Sequence, residues 1–196
     1  MKRSGYLKLI PLMLAILLVL VSPAIQVGAT SDLQAADTSK TAEIEKLFRR
    51  LDITMINERD PLEGQVSDLQ GKKVNLSSFR GNVAFLTFWT TWCPSCRIEM
   101  PALQKLYARY RPRGFMVLAV SIQEPPGKVV DYFRSMSLSY TPLLDPKARM
   151  ALSLGVWSVP STFILDRKGF VLGKAVGSRH WESPDARKLL QLLLTE

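Results

Sequence analysis

Val83-Ala84-Phe85-Leu86-Thr87-Phe88-Trp89-Thr90-Thr91-Trp92-Cys93-Pro94-Ser95-Cys96 is the stretch around which the rest of the chain organises. From Val83 to Trp89 it is apolar at nearly every position, the pattern of a central strand covered on both faces. That strand runs directly into the only two cysteines of the sequence. Beyond them Ile98, Ala102, Leu106 and Tyr110 form a helical stripe, interrupted by Pro101, which is expected to kink the helix rather than end it. The cysteines therefore stand where a buried strand turns into a helix. At a helix start the unpaired backbone N–H groups and the positive end of the dipole favour an anion, so a thiolate at Cys93 is stabilised relative to a free thiol. Pro94 suits the first helical turn, where its missing donor costs nothing. Cys96, three residues on, returns to the same helix face and can attack a mixed disulfide held on Cys93.

Plainer readings of the cysteine pair fare worse. A structural disulfide across so few residues gains little, because the stabilising entropy of such a bond grows with loop length. A structural zinc site needs about four ligands, yet there are no further cysteines and His180 is the only histidine, itself read as a surface residue. No metal and no separate cofactor is expected, the redox group being the Cys93/Cys96 pair. Thr90 stands three residues before Cys93, as peroxide-reducing motifs require, but the accompanying proline would fall at Leu86.

On the N-terminal side, Gln65 to Leu69 and Lys73 to Leu76 flank Gln70-Gly71-Lys72 and read as a β-hairpin, since Gly permits the positive φ of a tight turn. On the C-terminal side the spacing predicts a buried strand over 115–120, a helix over 127–136, a short extended piece at 143–144 and a helix over 147–154. A hairpin of 162–165 with 170–176 around Asp166-Arg167-Lys168-Gly169 and an amphipathic helix over 184–194 close the chain. Parallel strands followed by a terminal hairpin and helix make a small α/β domain over 61–196.

Lys2, Arg3 and Lys8 precede an uninterrupted apolar run from Leu9 to Val21, and no acid appears before Asp32. A charged start, an apolar middle and small residues afterwards are the pattern a secretion machinery reads, with a cleavage site after Ala29 or at Ser22-Pro23-Ala24. An uncleaved anchor fits too, so residues 1–29 are a signal peptide or a membrane tether through residues 9–27. Either way the remainder lies outside the cytoplasm, because early positive charges stay inside while the chain beyond the apolar run crosses. No cysteine lies near the run, which excludes lipid attachment at a processed N-terminal cysteine. Residues 30–41 read as a flexible tether, and Ile44, Leu47, Phe48 and Leu51 as a short amphipathic helix within a 30–60 segment. Setting aside Lys2, Arg3 and Lys8 lowers the formal charge from +9 to +6. The other basic residues are scattered, without interleaved aromatics, so no nucleic-acid partner is expected.

The segments Phe88 to Cys96, Pro101 and Gly155-Val156-Trp157-Ser158-Val159-Pro160-Ser161-Thr162-Phe163-Ile164-Leu165-Asp166, with the preceding hairpin, give the chain its resemblance to a known family over residues 61–192. It resembles the thioredoxin superfamily, and within it the exported, often membrane-tethered TlpA-like and ResA-like branch that includes cytochrome c maturation reductases. The resemblance implies a thioredoxin fold: a central mixed β-sheet flanked by helices, an N-terminal β-hairpin and a central insertion around Gln123 to Leu138. It implies that Pro160 is the cis-proline facing the cysteines, with Val159 offering backbone groups for a substrate strand. Trp92 and Pro94 complete the expected substrate-binding set, Trp92 shielding the exposed sulfur, while Trp89 and Trp157 are expected to pack in the core. Glu99, one turn beyond Cys96, is implied to assist proton movement at the thiols. The buried acid of cytoplasmic thioredoxins corresponds here to Thr87, which cannot take up that role.

The reading is thus a thiol-disulfide oxidoreductase acting as reductant on disulfide-bearing exported proteins, apocytochrome c among them, with a membrane thiol donor restoring the dithiol. Direction follows the resemblance rather than the residues, so a disulfide-forming oxidant stays open. Rivals from other classes are a binding or chaperone module using the Pro160 groove and a metal-delivery protein.

Overall fold

A computed structural model of the chain describes residues 24–56 and 60–195. The export segment expected at 1–29 falls largely on residues 1–23, outside the described residues. Among the described residues no helix is long and apolar enough to cross a membrane. Two units are distinguished, residues 1–41 and Ala42–Glu196. The first contains the beginning of helix α1 (Ala24–Arg50), where the Thr41 hydroxyl donates to the Asp37 carbonyl at 3.0 Å. Residues 30–41, expected as a flexible tether, are therefore helical. Ala35, Ala36, Lys40 and Ala42 carry no strong breaker, and helix propensity needs no apolar stripe.

The second unit is built on one sheet of eight strands in the order β1-β8-β7-β4-β5-β6-β2-β3. In chain order they are β1 (Thr54–Met55), β2 (Gln65–Ser67), β3 (Lys73–Asn75), β4 (Val83–Trp89), β5 (Phe115–Ile122), β6 (Thr141–Asp145), β7 (Ser161–Leu165) and β8 (Val171–Val176). Helix α2 (Pro94–Tyr110) follows β4, α3 (Pro126–Ser135) follows β5, α4 (Arg149–Ser153) follows β6, and α5 (Pro184–Leu193) closes the chain. Strand β4 pairs with β5 in parallel and with β7 antiparallel, so the sheet is mixed. The β2–β3 hairpin turns on Gly71, at φ +82°, where only glycine is unstrained, and the Asp68 carboxylate accepts the N–H groups of Gln70 and Lys72. The sheet ends in short strands on both sides: the two residues of β1 and the three of β3.

Every residue of β4 is buried, and its alternation sorts the core into two layers. Val83, Phe85 and Trp89 face a layer with α1, α2, α3 and α5, whereas Ala84, Leu86 and Phe88 face one containing Met150 and Ala151 of α4 and Leu76. The central insertion expected around Gln123 to Leu138 is the β5–α3–β6 connection, and α3 buries Val129 and Phe133 against the α2 layer.

The unit begins earlier than the expected residue 61. Leu47, Phe48, Leu51 and Ile53 are all buried in its core, and β1 pairs with β8. Gly173 of β8 makes this possible. A Cβ there would lie 2.6 Å from the Phe48 ring and 2.8 Å from Ile53 Cγ2, so the helix seats only on a bare backbone.

Candidate active site

Strand β4 delivers the chain to Cys93, which adopts extended dihedrals (φ −79°, ψ 114°) and caps α2 with its own side chain. Its sulfur accepts the Cys96 N–H at 3.2 Å, a helix-terminal donor that would otherwise lack a partner. Pro94 occupies the first turn. Both cysteines are free thiols, and both are buried, Cys96 completely. Burial holds the Cys96 thiol well above its ordinary pKa; the hydrogen bond with Cys93 and the Glu99 charge push the same way, and the Thr90 backbone N–H opposes them. A thiol held this way gives up its proton only to a base.

Strand β7 brings the second half of the site. The Val159–Pro160 bond is cis, Pro160 is buried, and the Cys93 S–H donates to the Val159 carbonyl at 3.6 Å. The Gly177 N–H donates to the Pro160 carbonyl at 2.8 Å, fixing the loop from behind. Trp92 stands 70% exposed beside the sulfur. Trp157 does not pack in the core as expected: it is 84% exposed, two residues before the Val159 carbonyl that touches Cys93. The apolar positions of its segment are filled by Val156 and by the buried β7, which leaves the indole to solvent. Trp89 is fully buried against Tyr132 and Phe133 of α3.

Glu99 is 2% exposed, far from the solvated helix charge its residue type suggests. Its Oε1 accepts a hydrogen bond from the Trp181 indole N–H, and among the described residues its Oε2 has no hydrogen-bond partner. Burial pushes its carboxyl up to about 7, against the pull of the Trp181 hydrogen bond and the Arg179 charge. This carboxyl lies one turn beyond Cys96 on α2, and its charge pushes the Cys96 thiol up. Thr87, in the place of the acid of cytoplasmic thioredoxins, shares a hydrogen bond of 3.0 Å with its register partner Thr162, both buried. It is a structural pair without a titrating group.

Three residues of the site escape sequence reasoning. Glu124, buried just after β5, accepts the Thr91 N–H (2.9 Å), the Thr91 hydroxyl (2.5 Å) and the Ser121 hydroxyl (2.6 Å), and so pins the segment that leads to Cys93. Its place beyond the carboxyl end of a parallel strand, where α/β sheets gather their sites, is the one signal that pointed to it. Trp181 and the exposed Trp157 carry no sequence signal of their own. Among the described residues no group of three His, Cys, Asp or Glu side chains could hold a metal ion.

The chain is similar to known proteins in sequence and in fold. The chain is 32% identical over 114 residues to the thiol-disulfide oxidoreductase ResA of Bacillus thuringiensis subsp. konkukian, a match covering 58% of this chain and 66% of that protein, just under two thirds of its length. It is 34% identical over 125 residues to the ResA of Geobacillus kaustophilus, covering 60% and 72%. Among solved structures, a Chlorobium tepidum protein described as a DsbE thiol:disulfide interchange protein superposes with a TM-score of 0.64 at 28% identity, over 72% of this chain and 99% of that one. The model of the AhpC/TSA family matches residues 60–173, more than half of the chain and all of the segment from the β2–β3 hairpin through the cysteines to β8's Gly173. The fold, the helix-capping cysteine and the family match agree: the chain belongs to the AhpC/TSA family and has the thioredoxin fold.

Proposed function

We propose that the chain is an extracytoplasmic thiol-disulfide oxidoreductase that reduces disulfides in exported proteins through Cys93 and Cys96. The observation that carries this reading is the placement of the Cys93 sulfur at the mouth of α2, 3.2 Å from the Cys96 N–H and 3.6 Å from the Val159 carbonyl. The first contact favours a sulfur anion, and the second sets that sulfur against a backbone on which an extended client can pair. The names of the ResA relatives and of the DsbE structure support it, as does the export pattern of residues 1–29.

In this reading the Cys93 thiolate attacks one sulfur of a client disulfide, forming a mixed disulfide and expelling the other client sulfur as a thiolate. Glu99 takes the proton of Cys96, and the Cys96 thiolate attacks the Cys93 sulfur. The client leaves with both sulfurs reduced, carrying two electrons given up by the enzyme, whose own thiols are left oxidised as a Cys93–Cys96 disulfide. A membrane thiol donor then replaces those electrons. Trp92, Pro94, Trp157, Val159 and Pro160 form the client surface, and apocytochrome c is a client of the right kind, an exported chain with a reducible cysteine pair.

Trapping tests the reading. Cys96→Ser removes the resolving sulfur, so mixed disulfides through Cys93 accumulate with exported proteins and are identified by mass spectrometry. Their absence, together with full biological activity in Cys93→Ser, would reject the enzyme in favour of a binding module. A redox titration against glutathione fixes the direction, a strongly oxidising potential reversing it.

A further inference from the structure

Glu99 and Trp181 meet across the interior from elements far apart in sequence, and the meeting is specific. Trp181 is fully buried on the segment between β8 and α5, its ring 4.9 Å from that of Phe85 in β4. Indole nitrogen donates and never accepts, so its hydrogen bond occupies Oε1 whatever the charge of the carboxyl. The other oxygen, Oε2, is left buried and unpartnered among the described residues. The segment that carries the indole is itself held. The Arg179 guanidinium donates to the carbonyls of Leu51 (2.8 Å) and Asp52 (2.7 Å) and to the Asp52 carboxylate (2.8 Å), and the Trp181 N–H donates to the Arg179 carbonyl at 2.9 Å.

We propose that Trp181 is a positioning residue that makes Glu99 a directional proton acceptor: the indole holds Oε1 and leaves Oε2 as the oxygen that takes the Cys96 proton and returns it. The inference rests on the proposed role of Glu99 at the thiols. Because the donor favours the ionised carboxyl, it also sets the pH at which Glu99 is ready to act as base. Arg179 on the indole's own segment draws Glu99 down, and the titratable groups that feel the Glu99 charge are Cys96 on α2 and Tyr140, whose hydroxyl is engaged with the Met100 carbonyl and sulfur; the charge pushes both up.

The test isolates the disulfide-closing step. Cys93 is loaded as a mixed disulfide with 5-thio-2-nitrobenzoate, and release of the coloured thiolate by Cys96 is timed across pH 5 to 9, with the Glu99 carboxyl monitored by carbon NMR. Trp181→Phe keeps a ring and removes the N–H. Benzothienylalanine at the same position keeps the bicyclic shape and removes only the donor, so it answers if the phenylalanine variant folds poorly. Expected in either is a midpoint about one pH unit higher in both readouts, with closure about tenfold slower at pH 6 and unchanged at pH 9. An unmoved midpoint in both variants overturns the role of Trp181 while leaving Glu99 as base, provided Glu99→Gln abolishes the pH dependence. A Glu99→Gln profile like that of the parent protein removes the base, and this inference with it.

Discussion

Glu99 is an acid whose fold withholds most of its solvation, and the thermodynamic consequence can be signed. Its carboxyl titrates at about 7 in the folded protein against an ordinary value of 4.5. Below the ordinary value both folded and unfolded chains hold the proton, and stability is undiminished. Between the two values the unfolded chain gives it up first, so stability falls with rising pH and levels off above the folded value. The loss is about 3 kcal/mol, from the displacement between 4.5 and about 7. Urea unfolding from pH 4 to 8 is expected to show this decline in the parent protein and to lose it in Glu99→Gln. Thr87 behaves oppositely. Thr87→Val strands the buried Thr162 hydroxyl and costs about 1–3 kcal/mol, most of it recovered in the double variant with Thr162→Val, because removing both partners leaves nothing unsatisfied. Neither change moves the pH dependence, since neither residue titrates in this range. At this scale the neighbours in the chain place Cys93 at a helix start and Pro160 in a cis bond beside it, as read from the sequence. The burial of Glu99 was not legible, because it depends on Trp181 and the core around it. The sequence was silent on Trp181 and misleading on Trp157, because contact across the fold and exposure are not properties of a residue's own neighbours.

The elements were read well wherever a strong period or a strong breaker existed. Strand β4, uniformly apolar, and the β2–β3 hairpin, turning on Gly71, stand where the residue pattern puts them. The second half of helix α1 yielded to the same method, since Ile44, Leu47, Phe48 and Leu51 mark a face that packs on the domain. Its first half, without an apolar stripe, did not, and the seat of the helix depends on the absence of a side chain at Gly173 in β8. That dependence is testable. Gly173→Ala forces a methyl group against Phe48 and Ile53 and is expected to destabilise the protein by about 1–3 kcal/mol in chemical unfolding, whereas Gly127→Ala, with open space around its Cβ, has no such clash. The segment before α2 gives a second test. Glu124→Ala removes the acceptor of the Thr91 N–H and hydroxyl, and amide exchange at Thr91 is expected to quicken about tenfold while the core of β4 stays protected.

On the scale of the whole molecule, two aromatic side chains stand in solvent on the two segments that meet at an almost covered sulfur, Trp92 next to Cys93 and Trp157 two residues before Val159. In the proposed function Trp92 and Trp157 are the side chains that offer a client broad contact without rearranging the core. On the proposed function, Trp157→Ala is expected to raise KM for a disulfide-bonded peptide several-fold with kcat unchanged, because the exposed indole, two residues before the Val159 carbonyl, offers contact area and no group that takes part in the exchange. A change in kcat alone would remove it from the client surface. The short strands at the two borders of the sheet complete this picture. The proposed function, on exported and unfolded chains, would invite adhesion along any open row of backbone groups. Here one border is two residues long, and the other is three and begins with Lys73 next to Lys72. Stray polypeptides find little purchase at either rim, so under the proposed function the backbone beside Cys93 would be the place for a guest strand to lie down.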